Sequence, residues 1–392
     1  MKTVCALLLS AAMLASCAGT VSPVVLTPPS GTLILARGGV FEAEGAGFRR
    51  LSPSDGLAPG GAEGLFPVND SGEAWVTYGP SPAAGVTRLR PGPAQTLTPK
   101  DGLKDGRVSL VAGAGNIRAF AYAPQAGLGF SVASGTSWTH YAKANSPLRD
   151  NRITGLLADA LGGIWARMYS PDAGCARLTD GRLVPYDTSN SGLPRNDILD
   201  ILPEPPGRGT PGDQVWFVTV DGLTRFTLGD GTWKHFGRNP ADITDFLRLL
   251  GVDTMFSSAI LEIRSLAVDD TGLWIATPKR IYRFDGDAFT RIDASFTEGS
   301  DSLRFSAAAP AEGGVWAAVT NVDSKTVAEV ARYRVGEGWN RYPLEGLRLK
   351  KPAEVRFFQV GGDIWALAPE WSAKVLVLRA AGEPVVRDLA GS

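Results

Sequence analysis

Two histidines occur among the 392 residues, His140 and His235, and both sit in one local pattern, Trp138-Thr139-His140-Tyr141 and Trp233-Lys234-His235-Phe236. Zinc and other transition metals need several His, Cys or carboxylate ligands brought together. Neither histidine has such neighbours in the sequence, and the equivalent positions of other segments carry Arg291 and Arg341. The chain has no phosphate-cradling glycine loop, no Gly-x-Ser-x-Gly elbow in a strand-to-helix setting and no EF-hand loop. Asp285-Gly286-Asp287 pairs two carboxylates, but Gly229-Asp230-Gly231 and Asp180-Gly181 stand at corresponding places, which marks all three as hairpin turns. No catalytic set, metal site or cofactor is therefore expected. The three cysteines are Cys5, Cys17 and Cys175. Cys175 stands where Leu223 stands in a parallel segment, so it reads as a small buried hydrophobe.

The elements that would carry such residues are short strands. Hydrophobic residues make up 44% of the chain, with 47 glycines and 27 prolines, a composition of many turns and few long helices. A net charge of −1 without a Lys/Arg run argues against nucleic acid as a partner. A core of Gly, an aliphatic residue, Trp and alternating small and aliphatic residues recurs, as in Gly163-Ile164-Trp165-Ala166, Gly314-Val315-Trp316-Ala317 and Gly272-Leu273-Trp274-Ile275. Six copies carry Trp75, Trp165, Trp216, Trp274, Trp316 and Trp365; two weaker ones are centred on Ile34 and Arg118. Between positions 34, 75, 118, 165, 216, 274, 316 and 365 the spacings are 41, 43, 47, 51, 58, 42 and 49 residues. Periods of this size suit propeller blades.

Each copy is followed by a strand ending in Arg and a large residue, such as Leu223-Thr224-Arg225-Phe226, and then by a third strand after a glycine-bearing turn. With an aliphatic strand before each core, the unit has four strands. The expectation is an all-β β-propeller of four-stranded blades over 31–392, with eight blades and seven as the alternative. A first strand for an eighth blade has to come from Val24-Val25-Leu26. The tryptophans should fill the gaps between blades, and the arginines should run along the blade faces to pair at the rim. In the 58-residue spacing, Ile243, Phe246, Leu247 and Leu250 recur at helical intervals behind Asn239-Pro240, which predicts a short amphipathic helix.

Ser191-Gly192-Leu193-Pro194-Arg195-Asn196-Asp197-Ile198 leading to Val215-Trp216-Phe217-Val218-Thr219-Val220-Asp221-Gly222-Leu223 resembles the two-component-regulator propeller repeat, and Ser146-Pro147-Leu148-Arg149-Asp150-Asn151-Arg152-Ile153 leading to Trp165 repeats it. The glycine usual after Trp-Ile in that family is alanine or larger here. The resemblance implies the propeller fold, and a sensing or binding role of the kind such ectodomains serve. At the N-terminus, Lys2 precedes an apolar run that ends in Leu14-Ala15-Ser16-Cys17, which resembles the lipobox of bacterial lipoproteins. The expected organisation is a signal peptide over 1–16, an anchor linker over 17–30 beginning at an acylated Cys17, and the propeller. Ala18 after the cysteine points to the outer membrane in a Gram-negative host, by the family's sorting rule. Removal of Lys2 with the signal would leave a net charge of −2.

Two classes of function follow: a non-catalytic envelope lipoprotein, expected to be a monomer, that binds a protein, peptide or glycan, and a propeller enzyme of the streptogramin-lyase or lactonase type. The enzyme would need a histidine or carboxylate cluster near the axis, which the sequence does not assemble. In a propeller, the loops between second and third strands share one mouth with the connections from blade to blade, and here those are the irregular segments. Tyr78, Tyr169 and Trp371 are the aromatic candidates for that binding face; Asp172, Asp323, Lys325 and Glu370 are the charged ones. If Cys17 is the anchor, Cys17→Ser should abolish labelling by a fatty-acid probe and release the protein from the membrane fraction; equal labelling of both chains would exclude acylation there.

Overall fold

The computed structural model describes residues 24–203 with breaks at 27–30, 37–38, 45–46, 60, 69–71, 79–83 and 91. It further describes 213–236 except 220, and 265–389 with breaks at 270–271, 277–280, 285–288, 293–302, 312, 322–325, 345–354, 361–362, 369–370, 372–373 and 380–381. Cys17 and the segment 239–256 expected to be helical lie outside the described residues.

The fold is a β-propeller of eight four-stranded antiparallel blades. The chain divides into two compact units. One holds blade 1 (Val24–Leu26, Leu33–Ala36, Gly39–Glu44, Gly47–Arg50), blade 2 (Ala62–Val68, Glu73–Tyr78, Val86–Arg90, Gln95–Leu97) and blade 3 (Val108–Ala114, Ile117–Tyr122, Phe130–Ser134, Ser137–Tyr141). It also holds blade 4 (Ile153–Ala158, Ile164–Met168, Cys175–Thr179, Arg182–Tyr186) and blade 5 (Ile198–Pro203, Gln214–Thr219, Gly222–Thr227, Trp233–Phe236). The other holds blade 6 (Ser265–Asp269, Gly272–Ala276, Ile281–Phe284, Phe289–Arg291), blade 7 (Leu303–Ala311, Gly314–Asn321, Thr326–Arg334, Gly338–Pro343) and blade 8 (Arg356–Val360, Asp363–Leu367, Lys374–Leu378, Val385–Asp388). Blade 1 takes Val24–Leu26 as its first strand, so the folded domain starts inside the segment read as a linker from the sequence. The first strands of blades 2 to 5 pack side by side in series, as do those of blades 6 to 8.

One pairing repeats through both units. The tryptophan of the second strand lies directly across from the arginine of the third: Trp75 opposite Arg88, Trp165 opposite Arg177, Trp216 opposite Arg225, Trp274 opposite Arg283 and Trp316 opposite Arg332. In the last four the guanidinium carbon lies 5.5–5.8 Å from an indole centroid. The strand-end arginines thus cover the tryptophan of their own blade. Two of the indoles also pack on the next blade: Trp75 meets Phe120 edge-on at 5.3 Å, and Trp165 meets Phe217 and Phe226 edge-on at 5.1 and 5.4 Å. Cys175 is fully buried in the cluster around Trp165, where burial pushes its thiol far above its ordinary value.

Carboxylates fasten this arrangement. In the turn before Trp165, Asp159 accepts the indole N–H at 2.9 Å, the Nε–H of Arg177 at 2.8 Å, and the amides of Leu161 and Gly163. Glu73 plays the same part across two blades, accepting from Trp75 at 2.8 Å and from two nitrogens of Arg118 at 2.7 and 2.8 Å. Removing Asp159 strands an indole donor, a guanidinium and two amides in a buried place. Asp159→Ala should cost about 3–5 kcal/mol of unfolding free energy, and Asp159→Asn clearly less; urea denaturation reads both, and a loss within error for Asp159→Ala would show that the fastening is unimportant.

Candidate functional site

The connections from one blade to the next in the first unit follow two recipes. Those entering blades 2 and 3 are short 3-10 turns, Pro53–Asp55 and Pro99–Asp101, closed by capping boxes in which Asp55 and Asp101 accept the backbone N–H and the hydroxyl of Ser52 and Thr98 at 2.8–2.9 Å. Gly102 follows in a left-handed conformation, and a Cβ there would lie 2.4 Å from the Trp138 ring. The connections entering blades 4 and 5 are held by side-chain amides. Asn145 and Asn190 accept the amides of Ala142 and Asp187 at 2.8 Å, while Asn151 and Asn196 accept those of Lys143 and Thr188 at 2.6 and 2.7 Å. Their sequence signal is the repeated motif in which the family resemblance was found.

These connections grip the loop between the second and third strands of blade 4. The Tyr169 amide donates to the Arg152 carbonyl at 2.8 Å and the Ser170 amide to Asp150 at 3.0 Å, and Asn196 donates to the Asp172 carbonyl at 3.3 Å. Tyr169 is 59% exposed on this fixed loop, and the Arg152 guanidinium stacks on its ring at 4.4 Å. Asp150 in turn orients Arg152, accepting its Nε–H at 3.0 Å, its Nη2–H at 2.7 Å and its own amide at 2.9 Å. Burial pushes the Asp150 carboxyl up, but the bonds from Arg152 outweigh it and hold the group below its ordinary value. Asp172 is exposed on the same loop.

The first strands of blades 2, 3, 4, 5 and 7 carry a β-bulge near their start, at Glu63, Ser109, Thr154, Leu199 and Ser306. Between blades 4 and 5 the buried Arg167 satisfies the carbonyls released there: Nη2 donates to Thr154 at 2.9 Å, and Nη1 to Ile198 at 3.1 Å and to Leu199. Burial lowers its pKa, with Asp200 and Asp197 opposing. Leu199 is left exposed at the bulge. Neither Arg167 nor Arg152 was singled out in the sequence, although Asp105-Gly106-Arg107 and Asp150-Asn151-Arg152 precede successive first strands and form a legible repeat.

Two of the aromatic candidates are misplaced by the sequence reading. Tyr78 is 2% exposed, because it closes a second strand instead of opening a loop: its hydroxyl accepts the Ala58 amide at 3.0 Å and donates to Thr87 at 2.7 Å, which is in turn 2.7 Å from Thr96. Trp371 is 4% exposed and folds back into the core between blades 7 and 8 with Val355, Phe357, Ala368 and Leu376. Asp323, Lys325 and Glu370 lie outside the described residues. Of the candidates for the binding face, Tyr169 and Asp172 are exposed on the loop between the second and third strands of blade 4.

No family model and no curated protein matches this chain. Solved structures share its fold. The extracellular domain of BT4673 from B. thetaiotaomicron, described as a hybrid two-component system, superposes with a TM-score of 0.51 at 10% identity, covering 95% of this chain and 56% of that one. AztD from Citrobacter koseri gives a TM-score of 0.51 at 10% identity over 94% of this chain and 95% of that one. PorZ, a bacterial surface component of the type-IX secretion system of Porphyromonas gingivalis, gives 0.47 at 13% identity over 95% and 45%. The chain spans about half the length of the two-component and PorZ chains. Likeness to two-component propellers thus holds for the fold.

The polar ladder that buries Tyr78 recurs with histidine at its end. In blade 3 the Lys104 amide donates to Tyr122 Oη at 2.6 Å, Tyr122 lies 2.6 Å from Ser131 Oγ, and Ser131 lies 3.1 Å from His140 Nδ1. In blade 5 Thr224 Oγ1 lies 2.8 Å from His235 Nδ1. Both histidines are on fourth strands, at the edge of their blades opposite the first strands. Burial, with the Lys104 charge, lowers the His140 pKa below its ordinary 6.5, against a hydrogen bond to Leu128. The unfolded chain therefore binds the proton more tightly, so stability is full above about pH 6.5 and declines as the pH falls below it. His140→Gln should flatten that decline in thermal melts between pH 7 and 5. The double variant His140→Gln with His235→Gln should keep its fold and partner affinity at pH 7.5; selective loss of binding or turnover would give the histidines a functional role.

Proposed function

We propose that this protein is a lipid-anchored component of the cell envelope whose propeller acts as a non-catalytic binding, sensing or scaffold module for a protein, peptide or glycan. The observation that carries the reading is Tyr169, a largely exposed aromatic ring on a loop pinned from both sides and stacked against an arginine that a half-buried carboxylate orients. Such a ring offers apolar area at little entropic cost, the property of an interface anchor. Both histidines support the non-catalytic reading, since each spends its Nδ1 on a third-strand hydroxyl. Proteins sharing the fold include extracellular domains of envelope proteins.

The anchor rests on the Leu14-Ala15-Ser16-Cys17 motif and would hold the protein at the outer membrane of a Gram-negative host. Six residues separate Cys17 from the first strand of blade 1, which allows a reach of about 25 Å from an acyl group on Cys17 to the fold. That strand enters from the side where the blade-to-blade connections lie, so the loop mouth of the first unit would be held close to the bilayer. The protein acts there as a monomer.

Crosslinking in the native membrane, followed by identification of the captured molecule, tests the reading directly. Tyr169→Ala should then weaken binding by about 1–3 kcal/mol with an unchanged melting temperature, whereas Trp371→Ala should lower the melting temperature through loss of core packing. Normal binding by Tyr169→Ala, with loss on substitution in the short turns of the opposite face, would assign recognition to the other side.

A further inference from the structure

Three ion pairs at the mouth of blades 4 and 5 share one asymmetry. In Asp150–Arg152, Asp187–Arg149 and Asp221–Arg195 the carboxylate side chains are 11%, 2% and 15% exposed, while their arginines are 44%, 46% and 47% exposed. Each acid is sunk into a connection or turn and each guanidinium stands outward. Asp187 is fixed by its own turn, where hydrogen bonds from Ser189 lower its pKa against the effect of burial, with Arg149 adding to the lowering. Segments 98–107, 123–129, 142–152, 169–174 and 187–197 with Asp221 contain seven acidic and seven basic residues, but six of the basic and two of the acidic residues are exposed. In the opposite hairpins of blades 4 and 5, the exposed charges at and beside the tips are Asp180, Arg182 and Asp230, so the basic excess is not repeated there.

We infer that this mouth recognises an extended acidic polypeptide segment, whose Asp or Glu carboxylates are taken by the outward guanidiniums of Arg149, Arg152 and Arg195 beside Tyr169. The inference rests on the binding reading above and names the chemistry of the partner at that same mouth. Two features select a carboxylate-bearing chain over an anionic membrane. The segments carry no net charge, so they project little long-range field, and attraction to a lipid surface needs an excess of basic charge. The guanidiniums of Arg149 and Arg152 are instead paired with largely buried acids and that of Arg195 stands 3.8 Å from one, which leaves their outward N–H groups to meet carboxylates. A fluid layer of headgroups has no use for that fixed geometry.

The test is fluorescence anisotropy with the full chain and a labelled peptide of alternating Glu and Ser, against a Lys/Ser peptide and vesicles containing phosphatidylglycerol. The Glu/Ser peptide should bind in preference to both, less tightly as salt rises. Arg152→Lys and Arg195→Lys keep the charge and remove the fork, and together they should weaken binding by about tenfold. Arg182→Lys, on the opposite face, should leave it unchanged. Lys104→Glu, a substitution outside any ion pair among the described residues, should weaken it in a chain that melts normally. No preference for the acidic peptide, an equal effect of Arg182→Lys, or tighter vesicle binding untouched by the two Arg→Lys changes would overturn the inference. If Tyr169→Ala binds the peptide normally while the arginine variants lose it, the aromatic anchor fails and the acidic partner stands.

Discussion

The stacked tryptophan is the contact on which the blades depend. A twisted four-stranded sheet has two faces to bury, and within each unit the second-strand indoles do this between neighbours, as Trp165 does against Phe217 and Phe226. The arginine directly across on the third strand covers the indole from its own blade while keeping its charged head near an acid, as Arg177 does at Asp159. Because an aromatic ring, a cation and a carboxylate are engaged at once, the indole has one orientation, and that orientation fixes the distance to the next blade. Where the pattern lapses, another element substitutes. Blade 3 has Arg118 in place of the tryptophan, and its guanidinium reaches back to Glu73, the acid that already holds the Trp75 N–H.

With the blades locked, the mouth is determined by what joins them. A connection that leaves a fourth strand and must reach the next first strand crosses the top of a blade, where its amides would otherwise be unsatisfied. Capping boxes serve two of these crossings and asparagine side chains serve two others. The tyrosine hydroxyls at positions 78 and 122 take one more amide each. The result is a mouth whose loops are tied down one by one, and that rigidity is what allows Tyr169 and its arginine to be presented in one arrangement. His140 is the last rung of a ladder that begins at such an amide, and His235 shares its Nδ1 with Thr224 at the equivalent place in blade 5.

The blade count, the tryptophan positions and the outer place of the histidines were legible because they follow from a period, and a period is visible even when individual residues drift. Single-residue exposure was not. Tyr78 looks like the start of an irregular segment, yet its equivalence to Tyr122 at the end of a second strand makes it a buried hydroxyl. Trp371 sits in a loop rich in polar neighbours, and only the return of that loop onto Phe357 and Leu376 buries it. Both errors come from treating a loop as a surface. The arginines at the mouth were missed for the opposite reason: Arg149, Arg152 and Arg195 appear in sequence beside acids, and a neutral pairing hides the fact that one partner is sunk and the other is not.

That asymmetry has a kinetic consequence. A face with balanced charge gains little electrostatic steering, so association should run at the ordinary rate for docking two specific patches, about 10⁵–10⁷ per molar per second. Discrimination then comes from short-range fit, in which an approaching carboxylate must replace water on a guanidinium whose plane is already set. Such recognition is selective but weak for any single contact, and it becomes useful when partner and receptor are held at one surface. A tether at Cys17 of about 25 Å would supply that condition. Such a tether would confine the mouth to a thin layer over the membrane, where an acidic segment on another envelope protein would meet it at an effective concentration that no steering field would have to provide.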